Sequence, residues 1–389
     1  MNRMGRSALT LAAAAMVCGV LVGSVSSTEA AFTDPGSVDA SFMTVQPVIL
    51  DFVDLAAGED YSLGWTSDGQ LFSWGFNDRG QLGTGDTQER TIPSQVLFPD
   101  PVIIADADAG INTSIALTSV GEVYTWGNSD IGGNTNSPQK VTALVGQTVV
   151  GVASGGYFYL AWTSDGKLYS WGTPGGGRLG RGGSADTPEL VTAQGTASGF
   201  VTTADAGRFY GTAVLDDGTR VTAWGQDHGS ASGVTTTGLP SGTVVSGLSA
   251  GNNFTFAWSD GGALFAETSG MYTQPTAPAG YVGAQVSIQA FGGSSFYTWR
   301  DTGELFAWGE NSEGQLGLGD NTDKPSPAPV ILPAGATIRG VAAGGDHALI
   351  TADGGAYSAA GSNDAGQLGS GTLTPRNTFS TPVIVKRWP

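Results

Sequence analysis

Few side chains in this sequence could carry out chemistry. Among 389 residues there are two histidines, His228 and His347, and one cysteine, Cys18. Such a set cannot build an ordinary zinc site without carboxylates. Asp320-Asn321-Thr322-Asp323 and Asp106-Ala107-Asp108 offer oxygen ligands, but neither has the spacing of a calcium loop, so both read as solvated turns. Gly247-Leu248-Ser249-Ala250-Gly251 matches the hydrolase nucleophile elbow, which needs a strand-to-helix turn, and no helical pattern follows it. Gly175 to Gly180 fits a dinucleotide fingerprint in spacing, again without a following helix. Asp106, Asp108 and Asp205 are the carboxylates an enzyme reading would use, provided two of them stand at a working separation. The expectation is no catalytic residue, no metal and no cofactor.

A second set of residues suits binding. A short segment follows each Ala-Gly pair of the repeat, and the matching Ser154-Gly155 and Phe291-Gly292, and its position is fixed while its residue types vary. These segments are Glu59-Asp60-Tyr61, Ile111-Asn112-Thr113, Gly156-Tyr157-Phe158 and Arg208-Phe209-Tyr210. Asn252-Asn253-Phe254, Gly293-Ser294-Ser295 and Gly345-Asp346-His347 continue the series. Aromatic rings beside Arg and Asn suit a protein contact surface. The candidate binding residues are Tyr61, Tyr157, Phe158, Arg208, Phe209, Tyr210, Asn253, Phe254, Asp346 and His347. The other reading has these aromatics tucked inward as packing.

The elements that position these segments repeat along the chain. The first unit runs Ala57-Gly58, an apolar stretch to Trp65, Asp68-Gly69, Leu71 to Gly75, then Gly80-Gln81-Leu82-Gly83. Residues aligned with Gly75 stand at Gly127, Gly172, Gly225, Thr268, Gly309 and Gly361, in steps of 52, 45, 53, 43, 41 and 52. A period of roughly 40 to 50 residues marks a propeller or solenoid array. Short apolar runs joined by Asp-Gly turns mark hairpins, so each unit is a propeller blade. Trp74, Trp126, Trp171, Trp224 and Trp308 each precede a marker residue and are large enough to pack between sheets. Repeat five has Glu267-Thr268 in place of Trp-Gly, and repeat seven has Ala360 in the Trp position. The Gly-Gln-Leu-Gly loop recurs at Gly314 to Gly317 and Gly366 to Gly369, with Gly177-Arg178-Leu179-Gly180 in repeat three. Ser249 falls in the column of Ala56, Asp108, Asp205 and Ala342, so the repeat itself accounts for the apparent elbow.

This pattern resembles the regulator of chromosome condensation repeat family over about residues 45 to 385. The resemblance implies an all-β, seven-bladed propeller of antiparallel sheets, closed by joining N- and C-terminal strands. Pro47-Val48-Ile49-Leu50 echoes Pro329-Val330-Ile331-Leu332 and Pro382-Val383-Ile384-Val385, and is the expected closing strand. His347 sits where the family often has histidine. Members of the family mostly act by presenting a propeller face to another protein. A secreted bacterial propeller of this architecture inhibits β-lactamases in that way, and the nuclear members catalyse guanine-nucleotide exchange on Ran.

Composition narrows these options. The formal net charge is −18, which disfavours nucleic acid as a partner. Arg3 and Arg6, the uncharged run Ala8 to Val25 and the small-residue site Thr28-Glu29-Ala30 read as a secretory signal over residues 1–30. An uncleaved anchor is the other reading of that run. Residues 31–44 are then a linker, and 45–389 are one propeller domain. Cys18 lies in the leader, so a cleaved chain has no thiol and relies on packing and ring closure. The expected product is a secreted, monomeric, non-enzymatic propeller bound to an extracellular or cell-surface protein and free of the membrane. The alternatives are nucleotide-exchange activity and a carbohydrate-active enzyme on the same scaffold.

Overall fold

The structure, a computed structural model, describes residues 50–380 apart from 130–132, 183–185, 194–195, 197–198, 227–232, 235–238, 253–254, 260–262, 269–270, 274–284, 289–294, 301–302, 333–335 and 354–356. The expected leader and linker, His228, the closing segments Pro47 to Ile49 and Pro382 to Val385, and the candidates Asn253 and Phe254 lie outside the described residues.

The chain folds as a seven-bladed β-propeller. Seven four-stranded antiparallel sheets span residues 52–95, 104–140, 149–190, 201–234, 245–273, 285–329 and 338–380. Each blade is contiguous in sequence and coincides with one repeat. In blade one the strands are Phe52–Ala57, Tyr61–Thr66, Leu71–Gly75 and Arg90–Gln95, ordered from the axis outwards. Among the described residues, the helical elements are two single turns, Thr142–Leu144 and Gly175–Gly177. None is long and apolar enough to cross a membrane.

The second strand of a blade is apolar on both faces because both faces are covered. Thr113–Thr118, Phe158–Thr163, Tyr210–Leu215 and His347–Ala352 are buried at every position. A sheet sandwiched between two others has no solvent face, so the in-out alternation of a one-sided strand disappears. The hydrophobic core is accordingly divided among the seams. Leu63, Trp65 and Leu82 of blade one pack with Ala107, Tyr124 and Trp126 of blade two. Ile115 and Leu117 of blade two pack with Tyr159 and Trp171 of blade three. The ring closes where Phe52, Leu55 and Trp74 of blade one meet Ala342, Leu349 and Tyr357 of blade seven. There the Phe52 and Tyr357 ring centroids lie 5.4 Å apart.

The marker glycine has a steric cause. Gly75 ends the third strand at φ +104°, opposite Tyr61, and a Cβ there would lie 2.6 Å from the carbonyl oxygen of Asp60. A side chain at this position meets both a strained backbone and a wall.

Antiparallel order also sorts the loops. First-to-second and third-to-fourth strand loops leave every blade at one end, and hairpins and blade-to-blade connections leave at the other. The segments after the Ala-Gly pairs therefore ring one mouth of the central channel. The Gly-Gln-Leu-Gly loops surround them on the same face.

Candidate functional site at the channel mouth

The mouth is built by backbone hydrogen bonds that run from loop to loop. Glu59 N–H donates to the Gly110 carbonyl, Gly156 N–H to Arg208, Arg208 N–H to Gly251, and Gly345 N–H to Gly58 and Glu59. At Gly58, Gly207 and Gly344 the pair is small because the ring three residues beyond the glycine lies on it, and at Gly110 the Thr113 hydroxyl takes that place. A Cβ at Gly58 would meet the Tyr61 ring at 2.2 Å, and one at Gly207 would meet Tyr210 at 2.3 Å.

Four of the candidate binding residues are corrected by this packing. Tyr61, Phe158, Tyr210 and His347 are at most 1% exposed and pin neighbouring blades together rather than facing a partner. Tyr61 Oη donates to the Thr113 carbonyl at 2.6 Å in blade two. Tyr210 Oη meets Thr255 Oγ1 in blade five at 3.2 Å. His347 Nε2 meets Ser62 Oγ in blade one at 3.0 Å. Because Ser62 Oγ donates to the Gln367 carbonyl at 2.9 Å, the single hydroxyl proton is used, and Nε2 carries the imidazole proton. The bare Nδ1 faces Gly344 and has no hydrogen-bond partner among the described residues. Burial pushes the His347 pKa down to about 3.

The other four described candidates stay half-buried at the mouth: Tyr157, Arg208, Phe209 and Asp346. Phe209 sits between two guanidinium groups, with Arg178 Cζ 5.1 Å and Arg208 Cζ 5.3 Å from its ring centroid. Both lie within cation–π range. Arg178 belongs to the Gly-Arg-Leu-Gly loop of blade three. The sequence marked it as a loop variant, and only the fold brings it to Phe209.

The side of the mouth over blades seven and one is acidic. Glu59 and Asp60 come from blade one and Asp346 from blade seven. Burial raises all three above the ordinary carboxylate range. Neighbouring charge adds to this, from Asp60 on Glu59, Asp364 on Asp60, and Glu310 on Asp346. Arg208 of blade four crosses the mouth to this group, its Nη1 3.9 Å from Glu59 Oε1.

The residues weighed for catalysis or metal binding make structural contacts. Asp108 Oδ2 accepts the Ser154 N–H at 2.8 Å, and Asp205 Oδ2 accepts the Ala250 N–H at 3.0 Å, each tying an inner strand to the next blade. Ser249 lies inside the strand Val245–Ala250. Asp320 bonds Lys324 Nζ, and Asp323 accepts the Asn311 N–H at 2.9 Å. Among the described residues no group of three or more His, Cys, Asp and Glu side chains could hold a metal ion.

The loop of the Gly-Gln-Leu-Gly repeats has an organiser that the sequence reading missed. Asn77, Asn311 and Asn363 are buried, and each Oδ1 accepts the N–H of the loop leucine at 2.9 Å. The signal was present, since each follows its marker glycine by two residues.

A ring of seven contiguous four-stranded blades with these loops on one face defines a class of repeat propeller, and sequence comparison identifies it. The chain belongs to the regulator of chromosome condensation (RCC1) repeat family, whose models match residues 68–117 and 302–350, and 52–81 and 149–177. It is 31% identical over 362 residues to the Ultraviolet-B receptor UVR8 of Arabidopsis thaliana, covering 83% of this chain and 80% of that protein. It is likewise 31% identical over 329 residues to the human E3 ubiquitin-protein ligase HERC2, covering 76% of this chain but 7% of that protein's length. Prp20p of Saccharomyces cerevisiae, studied for its binding to Gsp1p and histones, superposes with TM-score 0.64. That match is 20% identical and covers 76% of this chain and 80% of the yeast chain, a likeness of fold.

Proposed function

We propose that this propeller is exported and acts without catalysis, binding a protein partner outside the cell through the channel-mouth face. One observation carries the reading: Phe209 is half-buried on the rim and held between Arg178 and Arg208 at 5.1 and 5.3 Å. A rigid aromatic flanked by arginines is the composition of an interface anchor. The family resemblance supports a binding role, and the basic start, apolar run and Thr-Glu-Ala site support export with cleavage near Ala30. The test uses the propeller from Ala31 onward as bait in the growth medium of the producing cells, beside the same bait with Phe209→Ala. A partner retained by the first and lost by the second supports the reading. A partner held equally by both removes Phe209 from the interface. Recovery of a small GTPase would favour nucleotide exchange instead. N-terminal sequencing of the secreted chain should begin at about Ala31 or Phe32, and an intact leader on membrane-bound protein would overturn export by cleavage.

A further inference from the structure

We infer that the acidic side of the mouth, at Glu59, Asp60 and Asp346, receives a lysine or arginine side chain of the partner. The inference rests on the docking reading above and adds the partner's chemistry.

Three observations converge. Beyond burial, Asp60 and Asp346 raise the proton affinity of Glu59, Asp60 raises that of Asp346, and Glu310, Glu313 and Asp364 add charge from the surrounding loops. The protein's own Arg208 already reaches this site from the far side of the ring, and its guanidinium approaches Glu59 to 3.9 Å. A cationic side chain therefore fits the space, and at that separation it forms only a loose pair.

The third observation is Gln315, which is 1% exposed. In blade one the equivalent Gln81 takes the Arg79 N–H on Oε1 and gives Nε2 to Asn112 Oδ1 at 2.9 Å, on the next blade's mouth loop. In blade six Gln315 Oε1 takes the Glu313 N–H at 3.0 Å, while Nε2 has no hydrogen-bond partner among the described residues. The repeat puts Asp346 where blade two has Asn112. Gln315 Nε2 thus occupies the position from which Gln81 reaches the next blade's mouth loop, with a hydrogen bond to give. A partner main-chain carbonyl beside an inserted lysine or arginine would accept that bond while the cation meets the carboxylates. Leaving a buried donor unpaired is costly, so a ligand that satisfies it gains affinity.

The probe is a fluorescent tri-lysine peptide, followed by anisotropy at low salt. Glu59→Gln/Asp60→Asn/Asp346→Asn is compared with Asp51→Asn/Asp68→Asn/Asp165→Asn on the opposite face, an equal change in charge. The mouth variant should bind about tenfold or more weakly, and the control should change by less than about twofold. Equal losses in both, or a loss in neither, overturn the inference, since general acidity would then account for any binding. Melting curves on both variants confirm that each is folded. The peptide measurement does not involve the natural partner. Its failure with partner capture still sensitive to Phe209→Ala therefore removes the cation site and leaves the docking reading standing. The opposite pattern removes Phe209 from the interface and leaves the cation site standing.

Discussion

The indole Nε1 of Trp74 donates to the main-chain carbonyl of Gln367 at 2.8 Å, joining the first blade to the last. Ser62 Oγ meets the same oxygen at 2.9 Å. The relation recurs between consecutive blades, with Trp126 on Gln81 at 2.8 Å and Trp224 on Arg178 at 2.9 Å. The second residue of each loop therefore offers its carbonyl to the tryptophan of the following blade. Where one member is missing, the other adapts. Blade seven has Ala360 instead of tryptophan, and the Gln315 carbonyl is taken by Tyr297 at 2.8 Å. Blade two lacks the loop, and Trp171 of blade three stacks on Tyr159 at 5.4 Å.

Replacing Trp74 at this seam should therefore show two separable costs. Trp74→Ala removes a fully buried ring and should cost about 3–5 kcal/mol. Trp74→Phe keeps most of the volume and removes the hydrogen bond, and should cost about 1 kcal/mol. Denaturant unfolding of the two variants checks this. Equal losses would mean that packing and the bond cannot be told apart here.

Gly207→Ala tests the close approach at the mouth. The added methyl would lie 2.3 Å from the Tyr210 ring and 2.4 Å from the Gly251 carbonyl oxygen. Overpacking of this kind typically costs about 1–3 kcal/mol. A melting temperature equal to that of the wild type would show that the loop simply moves aside.

Much of this was legible beforehand, because the repeat fixes both the period and the element order. Gly75, Gly172, Gly225, Gly309 and Gly361 end third strands, Gly127 lies two residues before the end of one, and each repeat forms one blade. Burial of the mouth aromatics was not legible. Tyr61 and Phe209 both follow an Ala-Gly pair, at offsets of three and two residues beyond the glycine. That one-residue difference sends Tyr61 between blades and leaves Phe209 at the rim, because alternate residues point to opposite sides. Arg178 was invisible as a site residue because its contact with Phe209 joins different blades. The Asn77 column was legible and was passed over.

Acid should act on the fold through two opposing groups. His347 has its pKa lowered by burial to about 3, so it favours the folded state at pH above the unfolded value near 6.5. That stability is lost as pH falls towards 3, at about 1.4 kcal/mol per pH unit for one proton. His347→Phe keeps a ring of the kind found at Phe158 and should flatten this slope. Glu59 has the reverse sign. Its folded pKa is raised, first by burial and then by Asp60, so it favours the fold at low pH and loses that contribution as pH rises through the folded value. Glu59→Gln should therefore stabilise the propeller at pH 7, with the gain vanishing below about pH 4, the unfolded carboxylate range. Melting curves from pH 4 to 8 on the wild type and each variant separate the two. Parallel curves for all three would overturn both assignments.

Phe209 and Tyr210 are adjacent in sequence and should respond in opposite ways. Tyr210 is 1% exposed and held to Thr255 of blade five. Phe209 lies half-buried at the mouth between two arginines. Tyr210→Ala opens a hole between blades and should cost about 3–5 kcal/mol of stability. Phe209→Ala should barely change the melting temperature, yet should weaken partner binding by about 2 kcal/mol or more if the ring is an anchor. The comparison is informative because both variants remove an aromatic ring from the same loop, so general damage to that loop would affect the two alike. Unfolding by Phe209→Ala would return that ring to the packing between blades. Binding that survives Phe209→Ala at wild-type strength would move the interface off this side of the mouth.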